Sequence, residues 1–509
     1  VYCDGSRYED HSHFVELKLA LSTFLARQLA FYPPSPIMSK SSQKTVIIVG
    51  AGISGLYAAY QLHKAGFQVK VLESSNRVGG RVYGAQLSDG KRIDLGGQWV
   101  GKTQKPILDL LNELGLETYP QYAQGNTVHW RGKTIRKFKA TTTIPPLNIF
   151  VLLDLQFNGI SATDKLCKGI DVDHHQKSKN ATYLDSITVD KWISSKVHSK
   201  TVKELYDCAV RMILGAEGNE VSLLHYLSVI KAGGGILNLS ETRDGAQEFK
   251  IKGGAYQIPE SLQRKLPEGC ISFQRPVTRI KHHKDKVEVY SGDHKFVGDY
   301  VVMAVPPTAQ ATISIEPFVG LARAKLCEKM FMPAYIKIAL VYEKAWWREN
   351  GFSGEILCFD KSPDIKFGEG LSPISMIVDG CNYDASLTAL LVFITGKHAI
   401  EHTKHPYEKT KARILSQVAQ IFSYDQAAHP IDYVEKNWLL DEWSAGAPSA
   451  LCPPGTLLYY GEAFRKPIGR MHFAGTETAI QDTGYMSGAV QAAERVVSEI
   501  LKHEGVDND

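Results

Sequence analysis

The run VIIVGAGISGL at residues 46–56 constrains this chain more than any other stretch. Its first four residues are apolar and β-branched, the composition of a strand buried in a parallel sheet. Gly50, Gly52 and Gly55 follow in the spacing G-x-G-x-x-G, and Leu56 to Ala65 reads as an amphipathic helix that Gly66 ends. Residues 68–72 (QVKVL) predict a second strand, closed by Glu73 at 23 positions beyond Gly50. Each part has a physical task. Gly50 permits a tight turn, Gly52 lets the backbone approach a pyrophosphate, and Gly55 lets the helix lie close to the strand. The helix start, Ser54 included, offers free N–H groups and a positive dipole end to phosphate oxygens. Glu73 can accept both hydroxyls of an adenosine ribose. A glycine triplet alone is weak; strand, helix, second strand and acid in order predict a dinucleotide-binding unit. NAD and FAD domains share that unit, so the choice between them is open at this point.

With 509 residues the chain is too long for one compact core. Its 44% hydrophobic and 22% charged shares suit a globular enzyme, and a net charge of +4 argues against a dedicated nucleic-acid binder. The eight cysteines (Cys3, Cys167, Cys208, Cys270, Cys327, Cys358, Cys381 and Cys452) form no metal spacing and read as mostly reduced core residues of an intracellular, cytoplasmic protein. The two N-x-S/T sequons, at Asn180 and Asn238, are what chance produces in this length. No apolar run is long enough to span a membrane. Residues 1–43 look foreign to the fold, Met38 would make a natural start, and this extension is expected to be loosely ordered or to form one peripheral amphipathic helix. Residues 503–509 read as a polar tail.

Beyond Glu73, Arg77-Val-Gly-Gly80-Arg81 offers a second close backbone approach with a cation, Arg81, able to neutralise a pyrophosphate. Asp94-Leu-Gly-Gly97-Gln98-Trp99 supplies another glycine pair, suited to backbone lying against a flat ring system. Together these motifs resemble the flavin amine oxidases, the group of monoamine, polyamine and L-amino-acid oxidases. That resemblance implies FAD as the cofactor. It strengthens toward the C-terminus, where FAGTET at 473–478 and GYMSGA at 484–489 resemble the monoamine oxidase signature. It covers nearly all of residues 44–502.

The resemblance implies an α/β fold: a doubly wound, Rossmann-like FAD domain at about 44–120, 251–327 and 441–502, intertwined with an α+β substrate domain at 121–250 and 328–440. Helices are expected at 106–114, 184–208, 220–230 and 405–422, a hairpin at Trp130, and a polar surface loop over 160–182. His174-His175 in that loop suggests a metal site only superficially, since no third ligand follows at a suitable spacing. Short strands are expected at 270–274, 287–290, 300–305, 335–342 and 387–395.

Lys337 is a single lysine in an apolar strand, where an ammonium is costly unless paired or hydrated. The bland reading is an edge-strand lysine facing solvent. The resemblance implies that it holds a water against the flavin and assists oxygen chemistry. It further places Val277 beside the adenine, Trp346-Trp347 at an aromatic position, Trp438, Gly475, Glu477 and Met486 at the flavin, and Tyr485 as one wall of an aromatic cage for the amine. The family's covalent cysteine and second cage tyrosine read here as Ala447 and Pro448. FAD is therefore expected to be non-covalent, Cys452 being a poor substitute, with a half cage backed by Trp438. The mitochondrial members' C-terminal anchor has no counterpart, which suggests a soluble relative. The implied reaction is oxidation of a neutral primary amine, with molecular oxygen as second substrate and ammonia and hydrogen peroxide as products. An L-amino-acid oxidase, needing a cavity arginine such as Arg211 or Arg243, a polyamine oxidase with an acidic tunnel, and a non-catalytic flavoprotein stay as alternatives; a homodimer stays open.

Overall fold

The computed structural model describes residues 43–131, 134–139, 144–359 and 373–506. The expectation for the N-terminal extension falls outside these residues, apart from position 43. A five-stranded parallel sheet organises the first half of the fold, in the order Ile271–Ser272, Gln68–Leu72, Thr45–Val49, Tyr300–Met303, Met471–Phe473. The strand Thr45–Val49 is sandwiched, and its alternating side chains enter two different cores. Val46 and Ile48 pack under the helices Ile53–Lys64, Gln257–Lys265 and Met486–His503. Ile47 and Val49 pack on the opposite side with Ile280, Val287 and Val289. Those residues belong to a four-stranded sheet, His294–Gly298, Val287–Ser291, Arg279–His282, Ser314–Glu316. One face of the parallel sheet is thus covered by helices and the other by strands.

A seven-stranded sheet builds the second half, in the order Asp432–Asn437, Tyr335–Tyr342, Thr388–Thr395, Met376–Asp379, Phe352–Cys358, Asn126–Arg131, Thr134–Lys139. Its pairs are antiparallel except Phe352–Cys358 with Asn126–Arg131. Ile336, Ile338 and Leu340 face a core shared with the helices Lys397–Thr403 and Tyr407–Phe422. The alternate residues Ala339 and Val341 face the opposite way, toward Ala85, Ile93 and Leu95. Lys337 shares their parity. Trp346 and Trp347, in the short helix Trp346–Glu349, lie in the core on the helix side, against Tyr342 and Phe422.

The expected helices at 184–208 and 220–230 resolve into Ala181–Ser186, Val189–Lys196, Lys200–Leu214 and Leu223–Ala232. Thr188 breaks the first run by capping the helix that follows, its side chain accepting from the Lys191 N–H. The expected surface loop at 160–182 is largely structured: it contains the helix Ser161–Cys167 and a 3-10 turn at His175–Lys177, with Cys167, Ile170 and His175 buried. Its polar composition reflects the outer faces of short helices. The dinucleotide helix begins at Ile53, three residues before the expected start, and the C-terminal helix runs on to His503. Glu504, beyond it, docks onto Lys44 and Tyr300, so the polar tail begins as a packed end.

Candidate active site

A cavity of about 600 Å³ runs between the end of the parallel sheet and the inward face of the seven-stranded sheet. Gly50, Gly52, Ser54, Glu73, Arg77, Gly80, Arg81, Gly97, Gln98, Trp99, Val277, Lys337, Trp438, Gly475, Tyr485 and Met486 all border it. Gly55 and Glu477 do not. They act behind the wall.

The glycines differ in what they do. Gly50 has φ +101°, and a Cβ there would lie 2.9 Å from Val305 Cγ1. A Cβ on Gly55 would fall 2.0 Å from the Gly50 carbonyl oxygen, so this glycine seats the helix on the strand. A Cβ on Gly52 would meet no protein atom within 4 Å, and one on Gly80 only the Gly52 Cα, at 3.6 Å. These two leave open space bordered by backbone. Glu73 closes the turn: its carboxylate accepts from Ala51 N–H at 2.6 Å and Ser75 N–H at 2.9 Å. A third, longer bond comes from Ser74 Oγ at 3.4 Å, and with about four acceptor sites on a carboxylate capacity is left for a ribose. Ser54 Oγ accepts from Gly475 N–H at 3.0 Å and joins the N-terminal turn to the C-terminal loop.

The two arginines are braced by protein. Arg77 donates to the carbonyls of Val78, Gly80 and Val82 and lies 4.7 Å above the Tyr83 ring, shaping the loop around Gly80. Arg81 pairs in two-pronged fashion with Glu477, at 2.5 and 3.1 Å, and donates to the Pro448 carbonyl at 2.8 Å. Burial pushes the Glu477 carboxyl up, but Arg81 and the Ala450 N–H outweigh it and hold it below its ordinary value. Glu477 therefore orients Arg81, and the Arg81 charge is already matched.

At the other end of the cavity, strand register sets a row across the sheet: Lys436 opposite Lys337, Lys337 opposite Phe393, Phe393 opposite Met376. Lys337 is 2% exposed and donates to Gly96 O at 3.1 Å and to Gln98 Oε1. Burial pulls its ammonium well below the usual lysine range; the nearby Asp94 acts against the shift and Lys250 adds to it. The solvent-facing alternative for this lysine is thereby replaced. Trp99 stacks on Phe393 at 5.8 Å and donates to Gln121 Oε1 at 2.9 Å. Trp438 is buried and donates to Leu95 O at 2.9 Å. Thr476 positions Tyr485 by donating to its carbonyl at 2.8 Å.

Several cavity residues escaped the sequence reading. Tyr335 borders the cavity with Tyr485, and burial, helped by Tyr485, pushes its phenol well above the usual tyrosine range. Its signal was its place two positions before Lys337, on the same strand face. Phe393, Met212, Ile213 and Gln247 come from segments without motifs. Arg275 borders the cavity beside Val277. Of the proposed carboxylate-gripping arginines, Arg211 pairs with Glu217 at 3.2 Å and Arg243 is exposed; neither borders the cavity. Cys452 is fully buried and away from it, whereas Ala447 and Pro448 line it.

These residues fit FAD. Gly52 and Gly80 form an open backbone cradle, and the buried Gln98 Nε2 at the cavity wall has no hydrogen-bond partner. A ring system bearing acceptors would satisfy that donor. The open backbone cradle and the buried lysine border one cavity, and comparison with known proteins gives the class, an FAD-dependent oxidoreductase. The family model described as flavin containing amine oxidoreductase matches residues 53–501. Flavin-containing amine oxidase A of Sus scrofa is 35% identical over 471 residues, covering 90% of this chain and 85% of that protein. A probable flavin-containing monoamine oxidase A of Dictyostelium discoideum is 34% identical over 460 residues, covering 89% and 97%. Among solved structures, cyclohexylamine oxidase from Brevibacterium oxydans IH-35A superposes with TM-score 0.84 at 32% identity, covering 91% of this chain and 100% of that one. Wild-type putrescine oxidase bound to putrescine gives TM-score 0.82 at 26% identity, covering 91% and 99%. The chain belongs to the flavin-containing amine oxidoreductases and is an FAD-dependent amine oxidase. Among the described residues no helix is long and apolar enough to cross a membrane, and no group of three or more His, Cys, Asp or Glu could hold a metal ion.

Proposed function

We propose that this enzyme oxidises a primary amine with an apolar body, using non-covalently held FAD, and that Lys337, Tyr485 and Trp438 carry the site. The observation behind this reading is that the three border one cavity with the glycine cradle. FAD held between the glycine cradle and the wall of Lys337 and Tyr485 would supply the redox chemistry, accepting a hydride equivalent from the amine α-carbon with oxygen as the final electron acceptor. The protein supports this by placement and desolvation. Tyr485, Tyr335, Phe393 and Trp99 wall the substrate end, and the water they exclude raises the cost of the charged ammonium there. A neutral Lys337 spends its two N–H bonds on Gly96 and Gln98, leaving its lone pair free to accept a hydrogen bond from a water and hold it at the cavity. Gly52 and Gly80 admit the pyrophosphate, Glu73 the ribose, and Val277 the adenine. The N-terminus of the helix Met486–His503 presents its positive dipole end to the cavity and favours an anionic ring.

The cofactor-binding part is drawn at 44–120, 251–327 and 441–502, because the core under the parallel sheet gathers residues from all three. The absence of a thiol at Ala447 supports non-covalent flavin, and the seven described cysteines, all free and buried, suit a cytoplasmic setting. Anaerobic mixing of the yellow protein with amines and L-amino acids tests the reading. Flavin bleaching by monoamines supports it, bleaching by L-amino acids alone replaces it, and flavin that stays on the denatured chain refutes the non-covalent assignment.

A further inference from the structure

A second cavity, about 120 Å³, adjoins the first, and Trp99 is a wall of both. Gln121, Glu355 and Asp379 line the second cavity and not the first. Trp99 opens the strand Trp99–Val100, and Gln121 directly follows the strand Thr118–Pro120. The strand Phe249–Ile251 runs between these two, its Lys250 paired with Trp99 on one side and Tyr119 on the other. Gln121 Oε1 joins the outer strands by accepting from the Trp99 indole at 2.9 Å. Its Nε2 donates to the Asp379 carbonyl at 2.8 Å and to the Tyr122 carbonyl at 3.3 Å. The amide has one workable orientation: turned over, it would set its oxygen against two carbonyls and its N–H groups against the indole donor. Asp379 is itself fixed. Its carboxylate accepts from Arg348 twice, at 2.7 Å each, from the Trp347 indole at 2.9 Å and from Cys381 N–H at 3.0 Å. A braced ion pair thus holds, through Gln121, the one polar atom of the Trp99 side chain.

We propose that Gln121 is a positioning residue for amine oxidation: by pinning the Trp99 indole it fixes the wall that holds the amine beside Lys337. This rests on the reading that amines are oxidised in the flavin cavity, which Gln121 itself does not border. The Trp99 ring stacks on Phe393 with 25° between the planes. Lys337 Nζ lies 5.5 Å from the Trp99 ring centre and 5.3 Å from that of Phe393, so the two rings together cover the amino group. Stacking alone leaves a ring free to slide and tilt, since aromatic pairs accept a range of offsets. The bond to Gln121 removes that freedom. A wall held in one place keeps the amine in its reactive position, and a displacement of about 1 Å there costs up to about a hundredfold in rate.

The test is a double-mutant cycle of Gln121→Met (Q121M) and Trp99→Phe (W99F), read by anaerobic reduction of the flavin with a monoamine. Q121M keeps the side-chain length and removes the link, while W99F keeps a ring that has no N–H to pin. With Trp99 present, Q121M should lower the limiting reduction rate by about tenfold at unchanged FAD content. In W99F the same change should cost less than about twofold. Equal costs in the two backgrounds overturn the inference while leaving amine oxidation intact. A second readout needs no turnover: in spectra of protein labelled with 15N-tryptophan, the indole signal lost in W99F belongs to Trp99. That signal should move upfield in Q121M as its hydrogen bond is lost, and an unmoved signal overturns the inference. Should Q121M lose its flavin, Q121E carries the same cycle. Its carboxylate cannot donate to the Asp379 carbonyl and leaves the indole on an unanchored partner; equal costs again overturn the inference. Failure of every amine to bleach the wild-type flavin overturns the underlying reading as well.

Discussion

The wall proposed to meet the cofactor's phosphates and the wall proposed to meet the substrate are made of different material. The first is backbone, supplied by short contiguous turns around Gly50, Gly80 and Gly475. The second is side chain, supplied by residues that strand register and helix packing bring together from distant segments: Met212, Tyr335, Phe393, Trp99. A backbone wall tolerates little change, because its shape is set by what is absent. A side-chain wall can be altered one residue at a time, which is where relatives sharing a fold can diverge in substrate.

That contrast can be broken most forcefully at the glycines. Gly52→Val should leave the protein folded, since a Cβ there meets no protein atom within 4 Å, yet flavin affinity should fall by about a hundredfold. Gly55→Val should instead disrupt the fold, because its Cβ would lie 2.0 Å from Gly50 O. Circular dichroism and flavin absorbance on the two variants check this; equal behaviour would mean the two glycines share one role. Lys337→Met should lower kcat/KM with a monoamine by about a hundredfold. Its melting temperature should change little, because a buried amino group that is costly to desolvate is replaced by an apolar chain of similar length, offsetting the two lost hydrogen bonds. Glu477→Gln should destabilise by about 3 kcal/mol, since Arg81 would lose its charge partner. Chemical denaturation measures it, and an unaffected protein would remove Glu477 from the support of that wall.

The smallest effect belongs to the wall of the adjoining cavity. Burial and Glu241 raise the Glu355 carboxyl to about 7, whereas in the unfolded chain it titrates near ~4.3. Between those values the folded protein binds more protons than the unfolded one, so this group's contribution to stability falls as pH rises. Glu355→Gln should therefore melt higher than wild type at pH 8, by roughly 2 °C, and the gain should vanish only below about pH 4. A gain that does not change with pH would assign the effect to packing.

How much was legible follows from the same contrast. The G-x-G-x-x-G turn, Glu73 and the FAGTET and GYMSGA runs are local in sequence because the structures they encode are local turns and helix starts. Lys337 stood out as a charge in an apolar strand. Tyr335 carried a weaker signal, visible only once the strand's two faces are separated. Phe393 and Met212 carried none, since an apolar residue in a strand or helix looks the same whether it meets another side chain or a cavity. The paired roles of Arg81 and Glu477, 396 positions apart in sequence, could not be read from either motif alone. The helices within 160–182 were hidden by their polar outer faces.

The strand Tyr335–Tyr342 is held on both edges, with Lys337 between Lys436 and Phe393. Its side chains alternate between the cavity and a core of helices, so a slip by one position would drive Lys337 into that core and present Ile336 or Ile338 to the cavity. Gain or loss of a single residue within this strand is therefore a reading-frame error in three dimensions. A descendant chain can change what Tyr335 or Phe393 is, but it inherits the spacing between Tyr335 and Lys337 whole or loses the site.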